Sequence, residues 1–306
     1  MQDPFTRDPQ VSVIIPHLNE PDDLRRCLRA IDAQKADDLT FEVIVVDNGS
    51  RELPEEICSG VKLEQELIPG PGPARNRGAN VARAEILAFL DADCIPDADW
   101  VRGIVEVFDS YHDVHCLGGD IRVAPTSSGP KTETEAYENI FSYQVQRYVR
   151  RDHFAATGNM AVRRSVFEAV GPFGGIAIRE DNDWGQRATA MGFRIAYVPQ
   201  VRVFTPPCRS FAELTRRWDR LVAHEFQEVG TRPSGSAKWL ARSFAIAISP
   251  LAEVPTIILS DRVTGFRERW LAWTCLTRIR LHRAQRMLEL MMRGDPTRIV
   301  EGWNRD

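Results

Sequence analysis

The six cysteines of this 306-residue chain (Cys27, Cys58, Cys94, Cys116, Cys208, Cys275) include no Cys-x-x-Cys pair and no clustered histidine partners. That argues against a zinc finger or a disulfide framework and fits reduced thiols in a cytoplasmic protein. No apolar run is long enough to cross a bilayer. The best late stretch, Phe244 to Leu259, is interrupted by Pro250, Glu253 and Pro255. The start, Met1-Gln2-Asp3-Pro4, has neither a basic segment nor an apolar core, so no secretory leader is expected. Neither Gly-x-Gly-x-x-Gly nor Gly-Lys-Ser/Thr follows the first strand candidate, which disfavours dinucleotide-type Rossmann binding and P-loop chemistry. An excess of positive charge is also missing from the body of the chain. Residues 1–230 carry 26 Lys and Arg against 36 Asp and Glu, while 231–306 carry 13 against 7. The acidic body argues against nucleic acid as a partner. The basic tail suits either an anionic surface or a solvated helical face.

What is present is ordinary in amount and ordered in pattern. With 43% apolar and 27% charged residues, the chain can bury a proper core. Val11 to Ile15 and Phe41 to Val46 read as buried strands, and Leu24, Cys27, Leu28 and Ile31 recur at helical spacing between them. Asn19 is the expected N-cap of that helix, with Pro21 in its first turn. Strand, helix and strand within about forty residues form a βαβ unit with a right-handed parallel crossover. Val61 to Leu67 is a weaker strand, and Ala74 to Ala84 a helix after the loop Pro69 to Pro73.

The run Ile86 to Leu90 is continuously apolar, as in a strand buried on both faces, and it ends in Asp91-Ala92-Asp93. Carboxylates spaced by one residue at a strand end can hold a divalent metal and its phosphates. Read alone, the run is more simply a solvated turn in which Asp93 or Asp97 caps the helix 97–108. Three tips carry polar residues: His17 to Glu20, Asp47, and Asp91 with Asp93. Open α/β sheets gather such tips on one edge, where a nucleotide binds.

The later chain reads as a strand over 114–123 with an irregularity at Gly118-Gly119, a helix over 132–149, a short strand around 156–162 and a helix over 164–170. Glycines 171, 174 and 175 then lead into an acidic helix start at Glu180-Asp181-Asn182-Asp183. One or two strands over 193–203 and an amphipathic helix over 211–227 follow. The expected division is an extension (1–10), an α/β domain (11–230, with a nucleotide-binding half 11–110 and an acceptor half 111–230) and a basic helical region (231–306).

These residues together resemble the family 2 glycosyltransferases of the GT-A fold. The resemblance rests on Val13-Ile14-Ile15-Pro16-x-x-Asn19-Glu20, Val45-Val46-Asp47-Asn48-Gly49-Ser50, Ala74-Arg75-Asn76-x-Gly78, Leu90-Asp91-Ala92-Asp93, Gly158-Asn159 and Glu180-Asp181. It implies a mostly parallel nucleotide-binding sheet flanked by helices, with a helical C-terminal appendage. It implies an inverting, metal-dependent, hexosyltransferase-type enzyme taking a nucleoside-diphosphate sugar, with UDP the expected nucleotide, and an acceptor that is a glycan or lipid-linked. Pro16, His17, Asn19, Glu20 and Asp47 would hold base and ribose, and Arg75 would lie near the diphosphate. Asp91 would approach the ribose and the metal, and Asp93 would ligate Mg²⁺ or Mn²⁺. Gly158, Asn159 and Trp184 would line the sugar pocket. Asp181 would be the general base, with Glu180 beside it and with its ionised form favoured by the helix N-terminus.

Two departures narrow the expectation. A histidine often completes the metal site after the Glu-Asp helix, and Thr205 stands there. Only Arg217-Trp218 remains of the Gln-x-x-Arg-Trp of processive synthases, which points to non-processive transfer. In the tail, Trp239, Trp270 and Trp273 with Arg242, Arg267, Arg269, Arg278, Arg280, Arg283 and Arg286 suit contact with the anionic inner face of a membrane. Packing on the catalytic domain or on a second copy, as a homodimer, is the competing expectation. A nucleotidyltransferase and a non-catalytic sugar-nucleotide-binding protein are the alternative functions.

Overall fold

A computed structural model describes residues 8–36, 38–54, 60–125, 129–176, 178–229 and 233–293. Two compact units emerge: Met1–Arg122 with Tyr143–Thr205, and Val123–Ser142 with Pro206–Asp306. Residues 206–230 thus group with the C-terminal helices, whereas the sequence pattern attaches them to the α/β domain. Cys58 lies outside the described residues.

The first unit is α/β. Its N-terminal half runs β1 (Val11–His17), α1 (Pro21–Asp32), β2 (Phe41–Asp47), β3 (Val61–Gln65), α2 (Pro71–Val81), β4 (Ile86–Leu90), β5 (Ile95–Pro96) and α3 (Trp100–Ser110). After β6 (Cys116–Val123), the helix α4 (Glu133–Phe141) belongs to the second unit. The first unit resumes with α5 (Val145–Arg147), β7 (Asn159–Arg163), α6 (Arg164–Val170), α7 (Glu180–Ala190) and β8 (Ile195–Thr205). The strands form one sheet in the order β3-β2-β1-β4-β7-β6-β8-β5. β1 pairs in parallel with β2 and β4, and β2 with β3, while β7 runs antiparallel to β4 and β6. This is the expected GT-A type α/β architecture. β4 is buried along its whole length, which is why it is apolar at every position.

Close packing explains several glycines. A Cβ on Gly119 would strike the Val201 carbonyl and the Asn159 amide, and one on Gly118 would lie 2.9 Å from Ala155 Cβ. The glycine pair therefore lets β6 continue against its neighbours and does not interrupt it. Asn19 is not a helix cap. Its φ is 55°, Glu20 holds the cap position, and the Asn19 carboxamide accepts from Arg51 N at 2.9 Å. The single helix expected over 132–149 breaks at Ser142, whose backbone is extended. The one or two strands expected over 193–203 are a single long strand, β8 (Ile195–Thr205).

The second unit is helical: α4, then α8 (Phe211–Val229), α9 (Pro233–Ile248), α10 (Val254–Leu259) and α11 (Gly265–Arg293). Ala136, Tyr137 and Ile140 of α4 pack with Leu214, Ile257, Ala272, Leu276 and Ile279 in one core. Trp239 and Met287 belong to a second. No described helix is long and apolar enough to cross a membrane.

Candidate active site

The parallel register sets His17 beside Asp47 at the ends of β1 and β2. The Asp47 carboxylate is buried and faces His17 Nδ1 at 3.1 Å. Its other oxygen accepts from Gly49 N and Ser50 N, also at 3.1 Å. Glu20 N donates to His17 Nε2 at 3.3 Å, so that nitrogen is the acceptor and Nδ1 carries the proton. Asp47 therefore shapes the tip of β2, with both oxygens engaged inside the protein. Asn19 and Glu20 stand on the rim of this corner, and Pro16 immediately precedes it in β1. Asn48, named from the sequence only within the Val45–Ser50 motif, has a larger part. Its amide donates to the Glu66 and Ile68 carbonyls, and its oxygen accepts from Gly70 N at 2.7 Å. That ties the tip of β2 to the start of α2.

Arg75, in the first turns of α2, is almost fully buried and reaches two carboxylates. Nη2 donates to Asp91 Oδ1 at 2.6 Å and Nη1 to Glu180 Oε1 at 2.8 Å. One guanidinium thus joins the end of β4 to the first residue of α7. A Cβ on Gly158 would stand 2.7 Å from Asp91 Oδ2, so glycine leaves that carboxylate its room. Asn76 ties α2 to the glycine loop, exchanging hydrogen bonds with the Phe173 backbone, both at 2.9 Å. Asp93 accepts from the Cys94 thiol at 3.5 Å. Burial and the charges of Asp93 and Asp91 hold that thiol protonated, which lets it donate.

Asp181 follows Glu180 and lies half-buried. Burial, then the neighbouring Glu180 charge, push its carboxyl up to about 6, against the opposing pull of Arg75, Arg179 and the Asn182 amide. Desolvation therefore outweighs the helix N-terminus, contrary to the simple expectation from the helix dipole. A carboxylate with such a value is ionised at neutral pH yet basic enough to take a proton.

Two expected pocket residues turn inward. Asn159 is buried and its side chain is spent: Oδ1 accepts from Trp100 Nε1 at 2.8 Å, and Nδ2 donates to the Asp120 and Val201 carbonyls at 3.0 and 2.9 Å. It ties α3 to β6 and β8 with both amide hydrogens used, and its burial keeps the side chain from a sugar. Trp184 is buried against Phe167 and Phe173 and donates to the Gly171 carbonyl at 2.9 Å. It supports α7 from inside and offers no ring face for stacking.

Among the described residues, no group of three His, Cys, Asp or Glu could hold a metal. Asp91 and Asp93 supply hard oxygen donors. Pairing of Ile95 with Phe204 carries the buried Thr205 toward Cys94, so the position where a histidine is often found adds only a hydroxyl. Such a donor set fits Mg²⁺ or Mn²⁺, which bind through one or two carboxylates and complete their shell with phosphate oxygens and water.

Residues 12–171 match the sequence profile of glycosyl transferase family 2. The chain is 34% identical over 229 residues to glycosyltransferase AglE of Haloferax volcanii, covering 72% of this chain and 74% of that one. Mannosyltransferase PcManGT from Pyrobaculum calidifontis, solved in complex with GDP-Man and Mn²⁺, shares the fold with a TM-score of 0.57. Its identity is 19%, over 98% of this chain and 89% of that chain. Residues 1–349 of S. aureus TarS give 0.51 at 16% identity, over 94% and 92% of the two chains. Profile and relative agree with the order of the carboxylates along the sheet edge: the chain belongs to glycosyl transferase family 2.

Proposed function

We propose that this glycosyltransferase is inverting and non-processive, moving a sugar from a nucleoside-diphosphate sugar to the hydroxyl of a glycan or lipid-linked acceptor. The observation that carries the reading is the Arg75 bridge. It fixes Asp91 and Glu180 together, with Asp181 next in the chain. In this reading the acceptor oxygen attacks the anomeric carbon from the side opposite the diphosphate. The bond from that carbon to the phosphate oxygen breaks as the new glycosidic bond forms. Asp181 takes the acceptor proton, and a single carboxylate suffices because the leaving diphosphate needs no protonation. Glu180, held by Arg75, keeps Asp181 basic through its charge. Asp93 and Asp91 would hold a divalent cation, whose Lewis acidity neutralises charge gathering on the departing diphosphate. The His17–Asp47 corner would receive the base and ribose, with UDP the preferred nucleotide. The reaction is assigned to the cytoplasm, at the inner face of a membrane.

A thermal-shift screen against UDP, GDP and dTDP, with Mn²⁺ or EDTA, tests the nucleotide site, since a ligand that binds only the folded state raises its stability. Hydrolysis of a panel of UDP-, GDP- and dTDP-sugars then tests transfer competence, with GDP-mannose included because a structural relative was solved with it. Metal-dependent stabilisation by one nucleotide and turnover of its sugar are expected. No turnover of any donor would contradict the reading.

A further inference from the structure

The helical unit reverses the usual arrangement of polar and apolar residues over one stretch. From residue 244 to residue 259, every exposed position is apolar except Thr256. Leu259 is 83% exposed, and further along the chain Phe266 is 81% exposed. Phe244 and Ile248 lie one turn apart on α9, Leu251 follows it, and Phe266 and Trp270 lie one turn apart on α11 with their rings 6.2 Å apart. Scattered exposed leucines are normal on a protein surface, but a run of this length without an exposed charge is not.

Cations outnumber acids on both flanks: Lys238 and Arg242 before the run, the latter paired with Glu225, and Arg262, Arg267 and Arg269 after it, with Asp261 exposed among them. Arg269 reaches back to the Ile258 and Ser260 carbonyls, both at 3.3 Å, where α10 ends. An apolar strip with an aromatic pair, bordered by arginines, has the chemistry of the lipid headgroup boundary. α9 and α10 are separated around Pro250, and no described helix is long and apolar enough to cross a bilayer, so the strip is built to lie in the interface.

We propose that residues 244–270 form a membrane-docking surface, with Phe244, Ile248, Leu251, Leu259, Phe266 and Trp270 entering an anionic leaflet and the flanking arginines meeting its headgroups. Of the tail residues the sequence singles out, Trp270, Arg242, Arg267 and Arg269 belong to this surface, and several others do not. Trp239 is buried and donates to the Met287 carbonyl, and Trp273 packs against the helical core. Arg278 pairs with Glu133, Arg286 with Asp219 and Glu289, and Arg283 is buried against the Trp218 ring.

The test is sedimentation of the full chain with vesicles of phosphatidylcholine, alone or mixed with phosphatidylglycerol, at low and high salt. Wild type should sediment with the mixed vesicles and less with the neutral ones. The double variant Leu251→Ser/Leu259→Ser should lose about a hundredfold in partitioning, since each buried leucine contributes roughly a tenfold factor or more. Its melting temperature should not move, because both side chains are already exposed. Wild type remaining in the supernatant with every vesicle would overturn the proposal. So would a wild-type dimer that the double variant dissociates, which would make the strip a surface for a second copy. Donor hydrolysis measured without vesicles should be equal in the two proteins. Its absence would count against the transferase reading and leave the docking result standing.

Discussion

The strand ends of the α/β unit and residues 244–259 of the helical unit break the same rule in opposite directions. At the strand ends His17, Asp47 and Asn159, and beside them Arg75 of α2, are polar and buried, each with named partners. In the helical stretch the residues are apolar and exposed. Departures of either kind persist where something other than folding stability is served. The buried polar groups are held by partners inside the protein, Arg75 Nε excepted, and preorganise a site before any ligand arrives. The exposed apolar groups are satisfied only by a partner. The first region is a finished part of the fold, and the second is an unfinished surface.

Substitutions can break that contrast. Apart from the base itself, the largest effect should come from Asp93→Ala, which removes a hard donor from the diphosphate site. Steady-state turnover should fall by about a thousandfold, several kcal/mol of transition-state stabilisation. Next, Asn159→Ala should lower unfolding free energy by about 3 kcal/mol in chemical denaturation. It deletes three hydrogen bonds and leaves the Trp100 indole N–H buried without an acceptor. Nucleotide affinity of the folded fraction should be unchanged, since the carboxamide faces the sheet. Arg75→Met should cost about 2 kcal/mol. That is less than a fully buried bridge would cost, because Asp91 is partly solvated. The smallest effect is the sharpest contrast between the regions. Leu87→Ala, in the core, should cost about 3 kcal/mol, whereas Leu259→Ser should change stability by under about 0.5 kcal/mol.

The sheet was legible in the sequence because β4 is apolar without interruption and β1 and β2 are nearly so, broken within their runs by Ser12 and Glu42. The acidic tips were legible because Asp47, Asp91, Asp93 and the Glu180-Asp181 pair follow strands or open a helix. What joins them was not legible. Arg75 and Glu180 are 105 positions apart, and no local pattern reports a guanidinium shared between them. Asn159 looks like a pocket residue until Trp100, Asp120 and Val201 are found around it. Asp181 required the same three-dimensional knowledge, because position in a helix predicts a lowered carboxyl while burial raises it. In the tail, aromatic residues are plain in the sequence, but which of them a neighbouring helix covers is settled only by packing. Trp239 is covered and Phe266 is not.

The raised carboxyl of Asp181 gives the central claim a signature in both stability and rate. Its folded value of about 6 lies above the usual 3.8, so its contribution to stability is complete below about pH 4 and is lost as pH rises through 6. Asp181→Asn removes that loss and should be about 2 kcal/mol more stable relative to wild type at pH 8 than at pH 4. The most direct measurement is the pH dependence of sugar transfer by wild type and Asp181→Asn, with the same donor and metal. Wild-type kcat should fall about tenfold per pH unit below pH 6, and Asp181→Asn should be at least about a thousandfold slower with no such limb. A variant within tenfold of wild type, or one that keeps the limb near pH 6, would contradict Asp181 as the base.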